Sequence, residues 1–479
     1  MEVQPPYIAS MTNPRLRFAP SPTGHLHIGG ARSALFNYLL AKKWNGAFIV
    51  RIEDTDRDRS TKEFEDDIMR GLLWLGIKPD ESPLREGPLG PYRQSERREY
   101  YTSVLQRLLE KKIAFYCPHD EKKAKDRKNP APHWCEYRDG GGESAGIIRF
   151  KTPKDEEIIF ADLIRGEIRT KTNEIGDFSI AKSVELPLYN LANVVDDHAM
   201  QISHVMRGED HIANAPKQIL LQKSLGYESP EYGHLPLILG PDRAKLSKRH
   251  GATSLLEFQK DYLPEALVNF LALLGWNPGT EQEIFSLDEL IQQFSVERIH
   301  KAGAIFDFKK LDWMNAEYIR RVPTETLAKI IAPHLSTNIS KRIAAEPEYL
   351  ERALDVEKSR LRRLSEASEA LDLYFNEPKF DREILRWKSL GWDAIRKSLK
   401  KSAEIIRQLN TAPTIEEAST LLLELANQCQ DRGEILWPLR VSLTGRKASA
   451  SPFEIISVLG REESLRRLEK TIAALVNLN

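Results

Sequence analysis

Three cysteines in 479 residues, Cys117, Cys135 and Cys429, are too few to staple a chain of this size, which excludes a disulfide scaffold and predicts a reducing, cytoplasmic setting. Long apolar runs are missing too. None reaches the ~18 to 20 residues of a bilayer-spanning helix, so no membrane association is expected. The most apolar stretch, ALVNFLALLGW at 266–276, is shorter and contains Asn269, which predicts a buried core helix. The opening residues MEVQPPYIASM lack the basic segment followed by an apolar one that marks a secretory signal. Charge of one sign is absent: lysine plus arginine and aspartate plus glutamate number 70 each. Bulk charge therefore names no partner, and any nucleic-acid face must be a local basic patch balanced by acids elsewhere.

What is present is a soluble, foldable composition, 41% hydrophobic, 29% charged and 8% aromatic, in a 54.8 kDa chain too long for one core. Residues 1–11 read as a disordered lead-in. From Arg15 a short extended run, a helical pattern in GGARSALFNYLLAKKWNG and a second strand, AFIVRIEDTD, open a parallel α/β sheet, giving the first half of a catalytic domain over 12–92. Residues 93–188 have a different texture, with a basic Pro-containing segment (EKKAKDRKNPAPHWC), a GGG at 140–142 and the strand candidates GIIRFKTP, EIIFADLI and GEIRTKT; an inserted α+β domain with its own small sheet is expected. The first sheet resumes over 189–236. A smaller domain spans 237–324, and helical patterns dominate the all-α region 325–479.

Two segments carry chemistry. In RFAPSPTGHLHIGG, residues 17–30, a strand end and a proline turn precede a helix whose first residues include Gly29 and Gly30. Helix N-termini expose unpaired N–H groups, and glycines there let a phosphate chain approach the backbone. The stretch matches neither GxxxxGK[ST] nor GxGxxG, so neither a P-loop NTPase nor a Rossmann dehydrogenase is supported. His25 and His27 stand where they could donate to phosphate oxygens. In LILGPDRAKLSKRHG, residues 237–251, Lys245, Lys248 and Arg249 occupy a polar loop after an apolar strand, suited to clamping charge that develops on a pyrophosphate.

Together HIGG (His27–Gly30) and KLSKR (Lys245–Arg249) resemble the two signatures of class I aminoacyl-tRNA synthetases. FAPSPTGHLHIGGAR, RIEDTD, RGEDHIANAPKQ and KLSKRHGA are similar to bacterial glutamyl-tRNA synthetases, and the likeness continues to PLRVSLTGRKASASPFEIISVLGREESLRRL near the end of the chain. Gly30 replaces the last histidine of the general signature, as is typical of this family. The helical C-terminal region disfavours the glutaminyl enzymes, which end in β-barrels. A noncatalytic tRNA-binding relative would have lost signature residues, whereas His27, Gly29, Lys245 and Lys248 are all in place.

The resemblance implies a split Rossmann-like parallel sheet, an inserted connective domain that binds the acceptor end, a stem-contact domain with the KLSKR loop and an all-α anticodon-binding region. It also implies a monomer that joins L-glutamate to tRNA-Glu, using ATP and Mg²⁺, with tRNA-Gln an open second acceptor. His27, Lys245 and Lys248 would act in catalysis, and His27, Gly29, Gly30 and Lys248 would hold ATP. Arg17 and Tyr189 would face the side-chain carboxylate of glutamate, Arg207 the second carboxylate and Glu53 the ammonium, with Ser21 and Asn193 lining the pocket. Which arginine takes which carboxylate is left open. Asp54, Asp56 and His211 receive no role.

CPH at 117–119 and HWC at 133–135 supply two pairs of possible ligands for one structural Zn²⁺, a tetrahedral Cys/His set. Some family members bind zinc here through cysteines at the first three places; in this chain Cys117, His119 and Cys135 would take those places, with His133 or Tyr137 in the last. The alternative is a small cysteine-containing core. For tRNA, basic residues gather at KSRLRRL (358–364), IRKSLKKS (395–402) and PLRVSLTGRK (438–447), where the family places anticodon recognition; Arg440 is the first candidate for reading an anticodon base and Arg360 the second.

Overall fold

RLRF and AFIV, short apolar runs bounded by Pro14, Pro20 and Gly46, are the first two strands, β1 (Arg15–Phe18) and β2 (Ala47–Val50). They lie parallel, Arg15 opposite Ala47 and Phe18 opposite Val50, so the intervening chain must cross back over the sheet, which it does as the helix α1 (Ile28–Lys43). His27 caps α1 by accepting from the Gly30 N–H, and Lys42 and Lys43 stand in its last turn, where the helix dipole favours cations. The computed structural model describes residues 13–56, 58–119, 132–140, 146–251, 253–343, 346–379 and 381–475. The lead-in 1–11, residues 121–131 of the basic segment and two of the three consecutive glycines lie outside them.

The remaining strands are β3 (Ala114–Cys117), β4 (Ile147–Phe150), β5 (Glu157–Asp162), β6 (Gly166–Lys171), β7 (Phe178–Ser183), β8 (Leu186–Pro187), β9 (His204–Gly208), β10 (Glu231–Leu235), β11 (Ile238–Leu239) and β12 (Ala304–Ile305). Further helices are α2 (Lys62–Trp74), α3 (Arg98–Glu110), α4 (Tyr189–Ala199), α5 (Ala215–Leu225) and α6 (Pro264–Leu273). The central sheet has the order β2-β1-β9-β10-β5-β6, parallel except for the β5–β6 hairpin. A four-stranded antiparallel sheet, β3-β4-β7-β8, stands apart from it.

Two of the strand candidates expected in the insert's own sheet, EIIFADLI and GEIRTKT, instead extend the central one. β10 presents a free parallel edge, and β5 takes it with Asp162 opposite Tyr232 and the Leu163 N–H donating to the Tyr232 carbonyl at 2.8 Å. The insert also shares its core with the rest of this region: Tyr101 and Leu105 of α3, Ile148 and Phe150 of β4, Leu191 of α4 and Leu221 of α5 form one buried cluster. The apolar stretch near 266 forms α6, buried from Ala266 to Ala272, with the Asn269 carboxamide oxygen accepting from the Phe285 N–H at 2.8 Å.

The chain divides into two compact units, residues 1–259 with 264–311 and residues 260–263 with 312–479. Among the described residues the second unit is helical throughout, with Trp392–Gln408 its longest continuous helix and Pro452–Ala474 a pair of helices joined by a kink at Gly460. The latter begins with a Ser451–Glu454 capping box and Pro452 in its first turn. Arg467, buried within it, donates to the carbonyls of Leu373 and Leu443 at 2.7 Å each, satisfying acceptors where two other helices end. No helix of the described residues is long and apolar enough to cross a membrane.

Candidate active site

The HIGG segment and the stretch that follows KLSKR, more than two hundred residues apart, meet through main-chain bonds. The Ile28 N–H donates to the Thr253 carbonyl at 2.9 Å and the Leu255 N–H to the Leu26 carbonyl at 2.8 Å, so the end of the KLSKR loop lies antiparallel to the entry of α1. The loop leaves β11, which pairs with β12, and returns through a tight turn in which the Gly240 N–H bonds the Ala244 carbonyl at 2.8 Å. Arg249 and His250 are both held on Asp242, at 2.9 and 3.1 Å, so Arg249 is already paired within the loop.

Beside these segments opens a cleft of about 770 Å³. Its lining contains Arg17, Ser21, His27, Gly29, Gly30, Glu53, Tyr189, Asn193, Arg207 and Lys245, which come from five separate stretches of sequence. β1 supplies Arg17, the extended chain after β2 supplies Glu53, the first turns of α4 supply Tyr189 and Asn193, and the end of β9 supplies Arg207. Arg17, Glu53 and Arg207 stand toward the carboxyl ends of parallel strands, the usual place for ligands in such a sheet. Lys248 falls in the single turn Lys248–His250 of the same loop.

His27 accepts the Gly30 N–H on Nδ1 at 3.1 Å, which places its own ring proton on Nε2. Burial by the cleft wall, then the Lys245 ammonium, lower its pKa against the pull of Asp210, so the ring is neutral at pH 7 and serves as an N–H donor. Lys245 rests 3.4 Å from Asp210. His25, in contrast, turns to Asp67, 3.3 Å away, and packs edge-on against Phe64.

Arg17 and Glu53 connect the cleft to a buried network of charges. Arg17 reaches both oxygens of Asp197 at 3.2 and 3.3 Å, and Arg51, wholly buried, bonds Asp197 at 2.6 Å and Glu53 at 3.1 Å. Asn193 donates a second bond to Glu53 at 2.9 Å. Asp196 takes Arg97 at 2.6 Å, Gln94 at 2.8 Å and the Tyr101 hydroxyl at 2.9 Å. Burial pushes the Glu53 carboxyl up, against Arg51 and Arg17. Burial also works to raise Asp197, but there the two arginines prevail and hold it below the ordinary carboxylate range.

Neither Arg51 nor Asp197 was singled out from the sequence, although signals existed: alternation along RIEDTD sets Arg51 and Glu53 on one side of the chain, and two adjacent acids in the apolar helix LANVVDDHAM require buried partners. His211, left without a role, lines the cleft, with Nδ1 3.1 Å from the Tyr189 hydroxyl. Burial, then Arg207, lower it to about 4, so the ring beside the Tyr189 hydroxyl is neutral. Asp54 holds Ser95 and Asp56 holds Arg59.

In the insert, one ligand atom from each of Cys117, His119, His133 and Cys135 lies within 4.8 Å of all the others. Tetrahedral zinc with ordinary bond lengths separates two sulfurs by about 3.8 Å and a sulfur from a nitrogen by about 3.6 Å. Here the sulfurs stand 3.6 Å apart, and Cys117 Sγ is 3.2 Å from His119 Nδ1 and 3.5 Å from His133 Nε2. The residues present fit the ion. His133 completes the group, while the Tyr137 ring stacks obliquely near His119 with centroids 6.1 Å apart. Glycines shape both approaches: a Cβ on Gly146 would lie 2.3 Å from the Cys117 carbonyl oxygen, and one on Gly176 would lie 2.7 Å from that of His133.

In the second unit Arg440 belongs to the helix Gly433–Thr444 and has its Nε shielded from solvent without a partner among the described residues. Arg360 donates to the Val356 carbonyl at 2.6 Å and lies 3.4 Å from Glu454. Not all the basic run at 358–364 is free, since Arg363 makes a two-pronged pair with Asp312 at 2.8 and 2.9 Å. Lys397, Lys400 and Lys401 are exposed along Trp392–Gln408.

Residues 14–313 match the family described as tRNA synthetases class I (E and Q), catalytic domain, and residues 326–472 match the anticodon binding domain family. The glutamate–tRNA ligase of Desulforamulus reducens is 41% identical, covering 96% of this chain and 99% of its own. The chain belongs to the glutamyl-tRNA synthetase family. The glutamate–tRNA ligase of Carboxydothermus hydrogenoformans is 42% identical, over 95% of this chain and 98% of its own. A solved glutamate tRNA ligase from Elizabethkingia meningosepticum, crystallised in complex with its amino acid, superposes with a TM-score of 0.86 at 32% identity, covering 97% of this chain and all of that one. The mostly parallel α/β catalytic fold and helical anticodon domain are thus those of a class I glutamyl-tRNA synthetase.

Proposed function

We propose that the chain activates L-glutamate with ATP and Mg²⁺ and transfers the glutamyl group to the 3′-terminal adenosine of tRNA-Glu, as a cytoplasmic monomer. The observation that carries this reading is the convergence of both signature segments with Arg17, Arg207 and Tyr189 on one cleft. In the first step a carboxylate oxygen of glutamate attacks the α-phosphorus of ATP, forming the acyl phosphate bond while pyrophosphate leaves with the electron pair. In the second, a ribose hydroxyl attacks the acyl carbon and AMP departs. No protein nucleophile is required; the site orients reactants and offsets growing negative charge. His27 donates its Nε2 proton to phosphate oxygens, Gly29 and Gly30 open the helix N-terminus to them, and Lys245 and Lys248 attend the pyrophosphate. Mg²⁺, arriving with ATP, neutralises phosphate charge.

Glutamate presents two carboxylates and an ammonium. Arg17 and Arg207 supply forks for the carboxylates, Tyr189 a hydroxyl and Glu53 the counter-charge for the ammonium, with Ser21 and Asn193 alongside. Residues 12–92 and 189–236 act as the catalytic domain, 93–188 as the acceptor-binding insert, 237–324 as the stem-contact domain and 325–479 as the anticodon-binding region. Cys117, His119, His133 and Cys135 hold one structural Zn²⁺. Elemental analysis of the purified protein is expected to find about one zinc per chain, and Cys135→Ser to lose it; a metal-free protein of unchanged thermal stability would return these residues to a small thiol-containing core.

The deciding experiment is charging of radiolabelled glutamate onto purified tRNA-Glu and tRNA-Gln in parallel. Transfer to tRNA-Glu alone is expected of a discriminating enzyme, and transfer to both of one that also glutamylates tRNA-Gln; no transfer to either removes the catalytic reading. Arg440 and Arg360 face the anticodon in this account. Replacing Arg440 by Gln is expected to change the ratio of charging between tRNAs of different anticodon by ~10-fold, since a bidentate contact to a base is worth ~1–3 kcal/mol. An equal loss on all tRNAs would make it a phosphate contact.

A further inference from the structure

Arg207 is held by a buried chain that begins in the insert. Its Nε–H points to Nε2 of His234, 3.1 Å away, and His234 Nδ1 lies 2.6 Å from Asp162 Oδ2. His234 stands on β10 and Asp162 at the end of β5, neighbouring parallel strands, and both side chains are wholly shielded from solvent. A guanidinium has only donors, so His234 Nε2 must be the acceptor and the ring proton must sit on Nδ1, facing the carboxylate. An imidazolium, or the opposite tautomer, would aim an N–H at an N–H.

Asp162 is fixed for this task. Its other oxygen accepts the main-chain N–H groups of Ile164 at 3.0 Å, Arg165 at 2.8 Å and His234 at 3.2 Å. Those bonds and His234 outweigh burial and keep its pKa below the ordinary range. Burial holds the His234 ring neutral despite Asp162. Arg207 also lies over the Tyr232 ring, 5.4 Å from its centroid, and reaches the Tyr189 hydroxyl at 3.5 Å. Its Nε is thereby engaged from behind, its second terminal nitrogen lies 3.4 Å from the His211 carbonyl oxygen, and the residue lines the cleft.

We propose that Asp162 and His234 are positioning residues for glutamate recognition: the carboxylate locks one histidine tautomer, and that tautomer sets the plane in which Arg207 meets a substrate carboxylate. This rests on the assignment of Arg207 to glutamate. It adds that a strand of the insert, β5, shapes amino-acid selectivity without touching the amino acid. Neither residue is among those that line the cleft, so the effect is expected on glutamate, through Arg207, and not on ATP.

Three variants separate this role from a general loss of structure. In Asp162→Asn, the carboxamide oxygen is claimed by the three main-chain donors, so its N–H₂ faces His234 Nδ1 and drives the ring proton onto Nε2, against Arg207. His234→Leu removes the acceptor, and His234→Gln restores a carbonyl oxygen near the Nε2 position. Steady-state charging of tRNA-Glu is expected to show KM for glutamate raised ~10-fold or more in Asp162→Asn and His234→Leu, with His234→Gln within ~3-fold of the parent. KM for ATP and kcat at saturating glutamate are expected to stay within ~3-fold in all three. Equal losses in the Leu and Gln variants, a KM for ATP that moves in parallel, or an unchanged KM for glutamate in Asp162→Asn would each overturn the proposal. If His234→Leu does not fold, Asp162→Asn and His234→Gln, checked by thermal melting, decide alone. An inactive parent enzyme would instead remove the synthetase reading itself.

Discussion

Alanine at Lys248 lowers the rate of glutamyl adenylate formation by ~10²- to 10³-fold, the loss typical of removing one preorganised donor from a site where charge develops. tRNA affinity stays within about 3-fold, because one ammonium among many phosphate contacts contributes little to it. The stretch that follows the KLSKR loop is tied by the Ile28–Thr253 and Leu255–Leu26 main-chain bonds to the entry of α1, so a lysine on that loop lies a few residues from the helix end proposed to receive phosphates. Arg249 is paired with Asp242 within the loop. Single-turnover measurement of adenylate formation beside a filter-binding assay for tRNA checks the claim; equal loss in both would reject Lys248 as a pyrophosphate clamp.

Asp197→Ala is the second large effect, and it falls on stability first. Asp197 is the shared counter-charge of Arg17 and Arg51, and it is 4% exposed. Breaking a buried pair by removing one partner costs about 3–5 kcal/mol because the remaining charge stays uncompensated; here two guanidinium groups are left. A lowered denaturant midpoint with an unchanged slope is expected. Asp56→Ala, which breaks only an exposed pair with Arg59, should stay within ~0.5 kcal/mol of the parent. Whatever Asp197→Ala protein folds should also show a KM for glutamate raised by ~10-fold or more, because Arg17 has lost the carboxylate that aims it. A full-strength midpoint would mean that water or Glu53 replaces Asp197, and would remove the buried network as the base of the pocket.

Much of this was legible in the residues. Gly29 and Gly30 at a helix start, the lysines after an apolar strand, and the spacing in CPH and HWC are local patterns, and local patterns survive in a one-dimensional reading because their physics is local: a cap, a turn, two ligands on a short arm. The apolar run near 266 was likewise readable as a core helix from its length and its single asparagine. Other features were not. EIIFADLI looks like any short strand, and nothing within it says that Asp162 will pair opposite Tyr232 at the edge of the central sheet. Arg51 and Asp197 are separated by 146 residues and recognise each other only once β2 and α4 are packed.

The sequence by itself determined the class of fold, the family, the two signature segments and the candidate ligands for glutamate, ATP and zinc, since each depends on residue type at short spacing. Tertiary structure alone decided that Arg17 rests on Asp197 while Arg207 rests on His234, that His133 stands in one group with Cys117, His119 and Cys135, and that a strand of the insert joins the central sheet beside β10. The reason is that burial selects partners. A charge leaves water only against a counter-charge, and which one is near enough follows from strand order, which no short window of sequence contains.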